Sequence, residues 1–82
     1  MDVLYFAWVR ERIGVPRDTI ETNAATVNDL IEELRAKGEE YQAAFEDIRA
    51  LRVALDQELS EFDASLVGVR EVAFFPPMTG GE

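Results

Sequence analysis

The chain contains no cysteine and no histidine. That excludes disulfides, thiolate nucleophiles, imidazole general bases and the usual zinc ligands, so no metal site is expected. Lysine occurs once, at Lys37, and only 8 basic residues stand against 17 acids, a net charge of −9. Phosphate contacts need clustered Lys and Arg, so nucleic acid is not an expected partner. No apolar run approaches the roughly 20 residues that a membrane helix needs. The N-terminal MDVLYFAWVR lacks the positively charged start of a secretory signal. No membrane association is expected, and a cytoplasmic location is the default.

What is present describes a small globular domain. The 82 residues suffice for one domain, and 48% of them are apolar, with five Phe, two Tyr and one Trp. A chain of this length buries only about 60% of the surface that its unfolded form exposes. The core is therefore thin, with little left over for a deep active site. The acidity has a plain reading, solubility, and a sharper one, electrostatic steering toward a basic protein partner.

Along the chain, VLYFAWV is nearly all apolar and reads as a strand covered on both faces. Val9, Glu11, Arg12 and Ile13 fit a short helical turn closed by Gly14. Arg17 to Thr22 reads as an edge strand. Thr26 and Asp29 have capping-box spacing, and Val27, Leu30, Ile31 and Leu34 form one apolar stripe on a helix ended by Gly38. Tyr41, Ala44, Phe45 and Ile48 repeat that spacing over a shorter piece. Arg49 to Leu55 alternates as a half-buried strand, with Leu51, Val53 and Leu55 on one side. Asp56-Gln57-Glu58 is a turn, Leu59 resumes an extended segment, and Phe62 to Leu66 is one irregular turn. Gly68 and Arg70 mark another turn, and Glu71 to Phe75 is the last strand, stopped by Pro76 and Pro77. This order predicts an α+β fold with a mixed sheet of about five strands, one main helix and short helical turns. The two most apolar strands, first and last, should lie side by side at its centre.

No interior motif carries chemistry. Asp56, Glu58, Glu61 and Asp63 lack the central Gly and the spacing of a calcium loop and read as a solvated turn. Glu39-Glu40 reads as a polar pair flanking a helix, and Trp8 as a core residue or an interface anchor. The C-terminus differs. Residues 1–77 form the domain, and residues 78–82 a flexible tail. Pro76 and Pro77 stiffen its exit, and Thr79, Gly80 and Gly81 carry almost no side-chain bulk. Such a tail suits threading into a narrow channel of another protein.

VLYFAWVRERIG at the start, the helix beginning TVNDL, the segment VALDQEL and the closing EVAFFPPMTGG resemble the MoaD family, the ubiquitin-like sulfur carriers of molybdopterin synthase. The likeness covers essentially the whole chain, and EVAFFPP followed by Gly-Gly is its most specific part. It implies a β-grasp fold. It also implies that the carboxyl group of Gly81 is adenylated by an ATP-dependent, E1-like activating enzyme and converted to a thiocarboxylate through a sulfur donor system. The large synthase subunit would then take the tail into its active site. Two transfers would build the dithiolene of molybdopterin from cyclic pyranopterin monophosphate. Gly81 would bear the sulfur and Gly80 form the slender neck. Phe75, Pro76, Pro77, Met78 and Thr79 would meet the partner. The chain would bind no cofactor, the ATP being used by the activating enzyme, and would supply no catalytic side chain of its own. Two small subunits on a dimer of large ones are implied. If Val72 and Phe74 face the helix, Ala73 and Phe75 face the other side, where Phe75 beside Tyr5 or Trp8 would make an apolar docking patch.

Glu82 departs from the pattern, which ends in a free Gly-Gly. With Glu82 attached, Gly81 offers an amide rather than an acid. Trimming of Glu82 is the favoured expectation. The alternatives are activation of Glu82 itself, or a binding module that keeps the docking surface without the chemistry. A sulfur carrier for thiamine or cysteine synthesis is a related alternative, because it would use the same fold and tail.

Overall fold

A computed structural model describes residues 1–77. The expectations for Met78, Thr79, Gly80, Gly81 and Glu82 lie outside the described residues. The elements run β1 (Asp2–Tyr5), α1 (Ala7–Ile13), β2 (Arg17–Thr19), α2 (Val27–Arg35), α3 (Glu39–Ala44), a 3-10 turn at Ile48–Ala50, β3 (Arg52–Leu55), β4 (Glu58–Ser60) and β5 (Glu71–Phe75). The strands form one mixed sheet in the order β2-β1-β5-β3-β4. The first and last strands do pair at its centre, in parallel, with Val3 opposite Val72 and Tyr5 opposite Phe74.

One face of the sheet is closed by the helices. Val3, Tyr5, Val53, Val72 and Phe74 point into it, and all are buried. Val27, Leu30, Ile31 and Leu34 of α2 meet them with the predicted stripe. Burying one such side chain contributes about 1.5–3 kcal/mol, so this layer supplies most of the favourable burial. Phe45, just after α3, sets its ring edge-on to Phe74 with centroids 4.9 Å apart. The N-cap of α2 is also as expected: Thr26 Oγ1 accepts from the Asp29 backbone N–H at 3.3 Å.

Four expectations are corrected. VLYFAWV is not one strand: β1 stops at Tyr5 and Ala7 begins α1, because Val9 and Ile13 are spaced to bury one helical face. Nor is β1 covered on both faces, since Leu4 is only half-buried. Gly38 does not end α2. The helix stops at Arg35 with Ala36 as its cap, and Gly38, in extended backbone, instead leads into α3. The strand expected from Arg49 begins only at Arg52, because Asp47 Oδ1 accepts from the Arg49 N–H at 3.0 Å and winds the preceding residues into a 3-10 turn.

The β3–β4 hairpin turns on Asp56 (φ +50°) and Gln57 (φ +74°), both left-handed, as the twist of a two-residue hairpin favours. Asp56 has a second task. Its Oδ1 accepts from the backbone N–H groups of Arg70 and Glu71 at 3.1 and 3.0 Å, fastening the start of β5. The acidic turn is thus partly structural. Ala7 is the third non-glycine residue with positive φ, at +54°.

Candidate functional site

Pairing places side chains of neighbouring strands on a common face, so the register defines the side of the sheet that no helix covers. One row across it reads Arg17, Leu4, Ala73, Ala54, Leu59. The next row, toward the end where β5 leaves the sheet, has Phe75 opposite Arg52. Phe6 extends it: its backbone is still extended, and its N–H donates to the Phe74 carbonyl at 3.1 Å. The opposite row holds Thr19, Asp2 and Glu71, with Asp2 paired to Arg17 at 3.3 Å.

This face is therefore apolar in the middle, and at the Phe75 end the rings of Phe6 and Phe75 share a row with the exposed Arg52. Phe6 is 45% exposed and Leu59 71%. A contiguous exposed apolar patch on a small protein marks an interaction surface more often than scattered single residues do. Its charge contrasts with the helical side. Asp29, Glu32, Glu33, Glu39, Glu40, Glu46 and Asp47 crowd α2, α3 and the following loop, against Arg35 and Lys37 in the same stretch. On the open face the acids lie only at the end away from Phe75.

Phe75 is half-buried, as are Pro76 and Pro77. As expected, Val72 and Phe74 face the helices and Phe75 the other side. The expected neighbours are corrected. Tyr5 lies on the closed side, 1% exposed, and Trp8 is turned onto α1 with the Arg12 guanidinium 4.6 Å from its ring centre. Phe6 stands in the place anticipated for Tyr5. Sequence reasoning missed Phe6 and Leu59 as face residues. The signal was the alternation Val3, Leu4, Tyr5, Phe6, which was masked by reading the whole apolar run as one two-sided strand. From Pro77, Gly81 is four residues away, a reach of at most about 14 Å in any conformation.

A second cluster of titratable groups is a structural tie. Asp18 points inward from the edge strand β2, and its Oδ2 accepts from the Tyr5 hydroxyl at 2.9 Å and the Tyr41 hydroxyl at 2.8 Å. Lys37 Nζ lies 4.0 Å away. Burial, then the bond to Asp18 and its charge, pushes the Tyr41 phenol up to about 12 and raises Tyr5 further. Both phenols stay protonated donors, so the half-buried carboxylate is satisfied. At the surface, Arg49 holds the Asp47 carboxyl below its usual range. Among the described residues, no group of three or more His, Cys, Asp or Glu is placed to hold a metal ion. No helix among them is long and apolar enough to cross a membrane.

Residues 3–81 match the sequence model of the ThiS family. The chain belongs to the ThiS family. The match ends at Gly81, leaving Glu82 outside it. Curated relatives of this ThiS-family chain include a molybdopterin synthase sulfur carrier subunit from Haemophilus influenzae, 40% identical over 99% of both chains. The protein of the same name from Escherichia coli is 40% identical over 96% of both. Among solved structures, SAMP1 from Haloferax volcanii superposes with a TM-score of 0.74, covering 99% of this chain and 98% of its own at 23% identity, a likeness of fold. The sheet order and this likeness make the fold β-grasp, ubiquitin-like.

Proposed function

We propose that this chain is the sulfur carrier of a molybdopterin synthase, with the sulfur held on the main-chain carboxyl of Gly81. The observation that carries the reading is the 40% identity over nearly the full length of both chains to proteins named for that role. The Gly-Gly in the sequence, ending four residues beyond Pro77 at the end of the open apolar face, supports it.

The chemistry follows from a carboxylate's poor electrophilicity. An activating enzyme transfers AMP from ATP to the Gly81 carboxylate and releases pyrophosphate. Sulfur from a donor system then attacks the acyl carbon, AMP leaves, and a thiocarboxylate remains. On the large subunit the thiocarboxylate sulfur bonds to a carbon of cyclic pyranopterin monophosphate, and water then cleaves the acyl–sulfur bond and returns the Gly81 carboxylate. Two such transfers complete the dithiolene. The chain contributes no acid, base or metal, which agrees with its lack of Cys and His; those groups belong to the partner. Gly80 and Gly81 suit a channel because a Cβ-free end passes where side chains would clash.

The tail's short reach dictates the docking. A partner that receives Gly81 within about 14 Å of Pro77 must cover the Phe75 end of the open face. Phe6, Phe75, Leu4, Ala54, Ala73 and Leu59 are the residues it covers in this reading. Pro76 and Pro77 line the exit. The activity belongs to the cytoplasm, in a complex of two small subunits on a dimer of large ones.

Glu82 must be removed before activation, because an amide at Gly81 cannot be adenylated as an acid. Glu82 is also the observation that favours the second reading, a docking module without sulfur chemistry. Intact mass of the protein from its native host separates them. Loss of Glu82 together with a fraction carrying sulfur in place of one oxygen is the expected result. A chain that keeps Glu82 and never gains sulfur in cells making molybdopterin overturns the carrier reading. Co-purification with thiamine or cysteine biosynthetic enzymes instead of a large synthase subunit reassigns the pathway.

A further inference from the structure

Phe6 has two roles in the backbone at once. As the extended residue that directly follows β1 it stays in register beside Phe75, its N–H on the Phe74 carbonyl. As the residue before α1 it accepts from the N–H groups of Val9 and Arg10 at 3.1 and 3.4 Å. Strand and helix therefore meet with no loop between them. Ala7 is the joint, and its φ of +54° lies in the left-handed region that residues with a Cβ seldom occupy. The Ala7 side chain is exposed. Its methyl group makes no core contact, so the position constrains backbone, not packing.

We infer that Ala7 is a positioning residue: its left-handed backbone holds Phe6 on the open face next to Phe75 while α1 turns back into the core. If Ala7 left that region, either α1 or Phe6 would have to move. Val9 and Ile13 anchor α1 by burial, whereas Phe6 is 45% exposed and outside the core. Phe6 yields first, and the docking face loses one of its two aromatic rings, the more exposed of the pair. The inference rests on the reading that the large synthase subunit covers this face.

The test is a set of substitutions ranked by tolerance of positive φ, not by size or polarity. Ala7→Gly and Ala7→Asn suit the left-handed region, and Ala7→Val opposes it. Affinity for the large subunit is measured with each, alone and combined with Phe6→Ala. Ala7→Gly and Ala7→Asn should bind as the parent does. Ala7→Val and Phe6→Ala should each weaken binding roughly tenfold, and their combination should be no weaker than Phe6→Ala alone. In the free chain, hydrogen exchange at the Phe6 amide should stay slow in the Gly and Asn variants and speed up in the Val variant. Should Ala7→Val not fold, Ala7→Thr takes its place in the same cycle. Losses that add in the double variant, or Asn binding as poorly as Val, overturn the positioning role while leaving the docking reading intact. A parent chain that does not bind the large subunit at all removes both.

Discussion

The two faces of the sheet carry similar apolar residues in alternate positions of the same strands, yet they meet different fates. In β5, Val72 and Phe74 go to the helices and are fully buried, while Ala73 and Phe75 go to the open side, where Phe75 stays half-exposed. In β1, Val3 and Tyr5 are buried and Leu4 is not. A chain this small has helices enough for one face only. The residues on the other face contribute less to stability, and that frees them to bind. The closed face holds the domain together, and in the proposed reading the open face meets the partner.

The largest test of this contrast is Phe74→Ala. Removing a ring fully enclosed against Phe45 should destabilise the fold by about 3–5 kcal/mol, read from urea or thermal unfolding. Phe75→Ala, one residue on, should change stability by roughly 1 kcal/mol or less and weaken complex formation instead. Equal effects of the two on unfolding would break the comparison.

The Asp18 tie tests the closed side by pH. A phenol whose folded pKa is raised stabilises the fold fully below its unfolded value near 10. That contribution is lost as pH rises above 10 toward the folded value. For Tyr41 the window runs from 10.0 to about 12, and for Tyr5 it extends higher. Unfolding free energy should therefore fall above pH 10, by up to about 1.4 kcal/mol per pH unit from Tyr5. Tyr5→Phe should flatten that slope, and an unchanged slope in Tyr5→Phe would mean that the tie does not form.

A smaller effect is expected at the far end of the sheet. Asp56→Ala removes two acceptor bonds to the start of β5 and a residue tolerant of left-handed backbone, for a loss of about 1–2 kcal/mol. Partner affinity should be unaffected, since Asp56 lies away from Phe75. The smallest expected change is a gain: Gln57→Gly should raise stability by about 0.5–1 kcal/mol by relieving positive φ.

Much of this was legible before any coordinates. The stripe of Val27, Leu30, Ile31 and Leu34, the cap at Thr26, the alternation to Leu55 and the stop at Pro76 are local patterns, and a local pattern can be read in one dimension. The errors fell where two elements share one apolar run. VLYFAWV looks uniform because β1 needs its apolar residues on alternate positions and α1 needs its own at Val9 and Ile13. Nothing in composition marks the join at Ala7. The open face is half legible in the sequence: Phe75 lies on it as expected, whereas the expected neighbour, Tyr5 or Trp8, is Phe6 instead.

The sequence by itself determined that the first and last strands are the most apolar, that one helix has a single buried stripe, and that Pro76 and Pro77 stop the last strand. Those properties depend on residue type and spacing alone. Only the tertiary structure decided which neighbour Phe75 has, that Asp18 serves two phenols from distant segments, that Asp56 fastens β5, and that Ala7 turns the chain left-handed. Each of those depends on register between segments far apart in the chain. A one-residue shift in register exchanges the faces, so the open side is settled only when the strands pair.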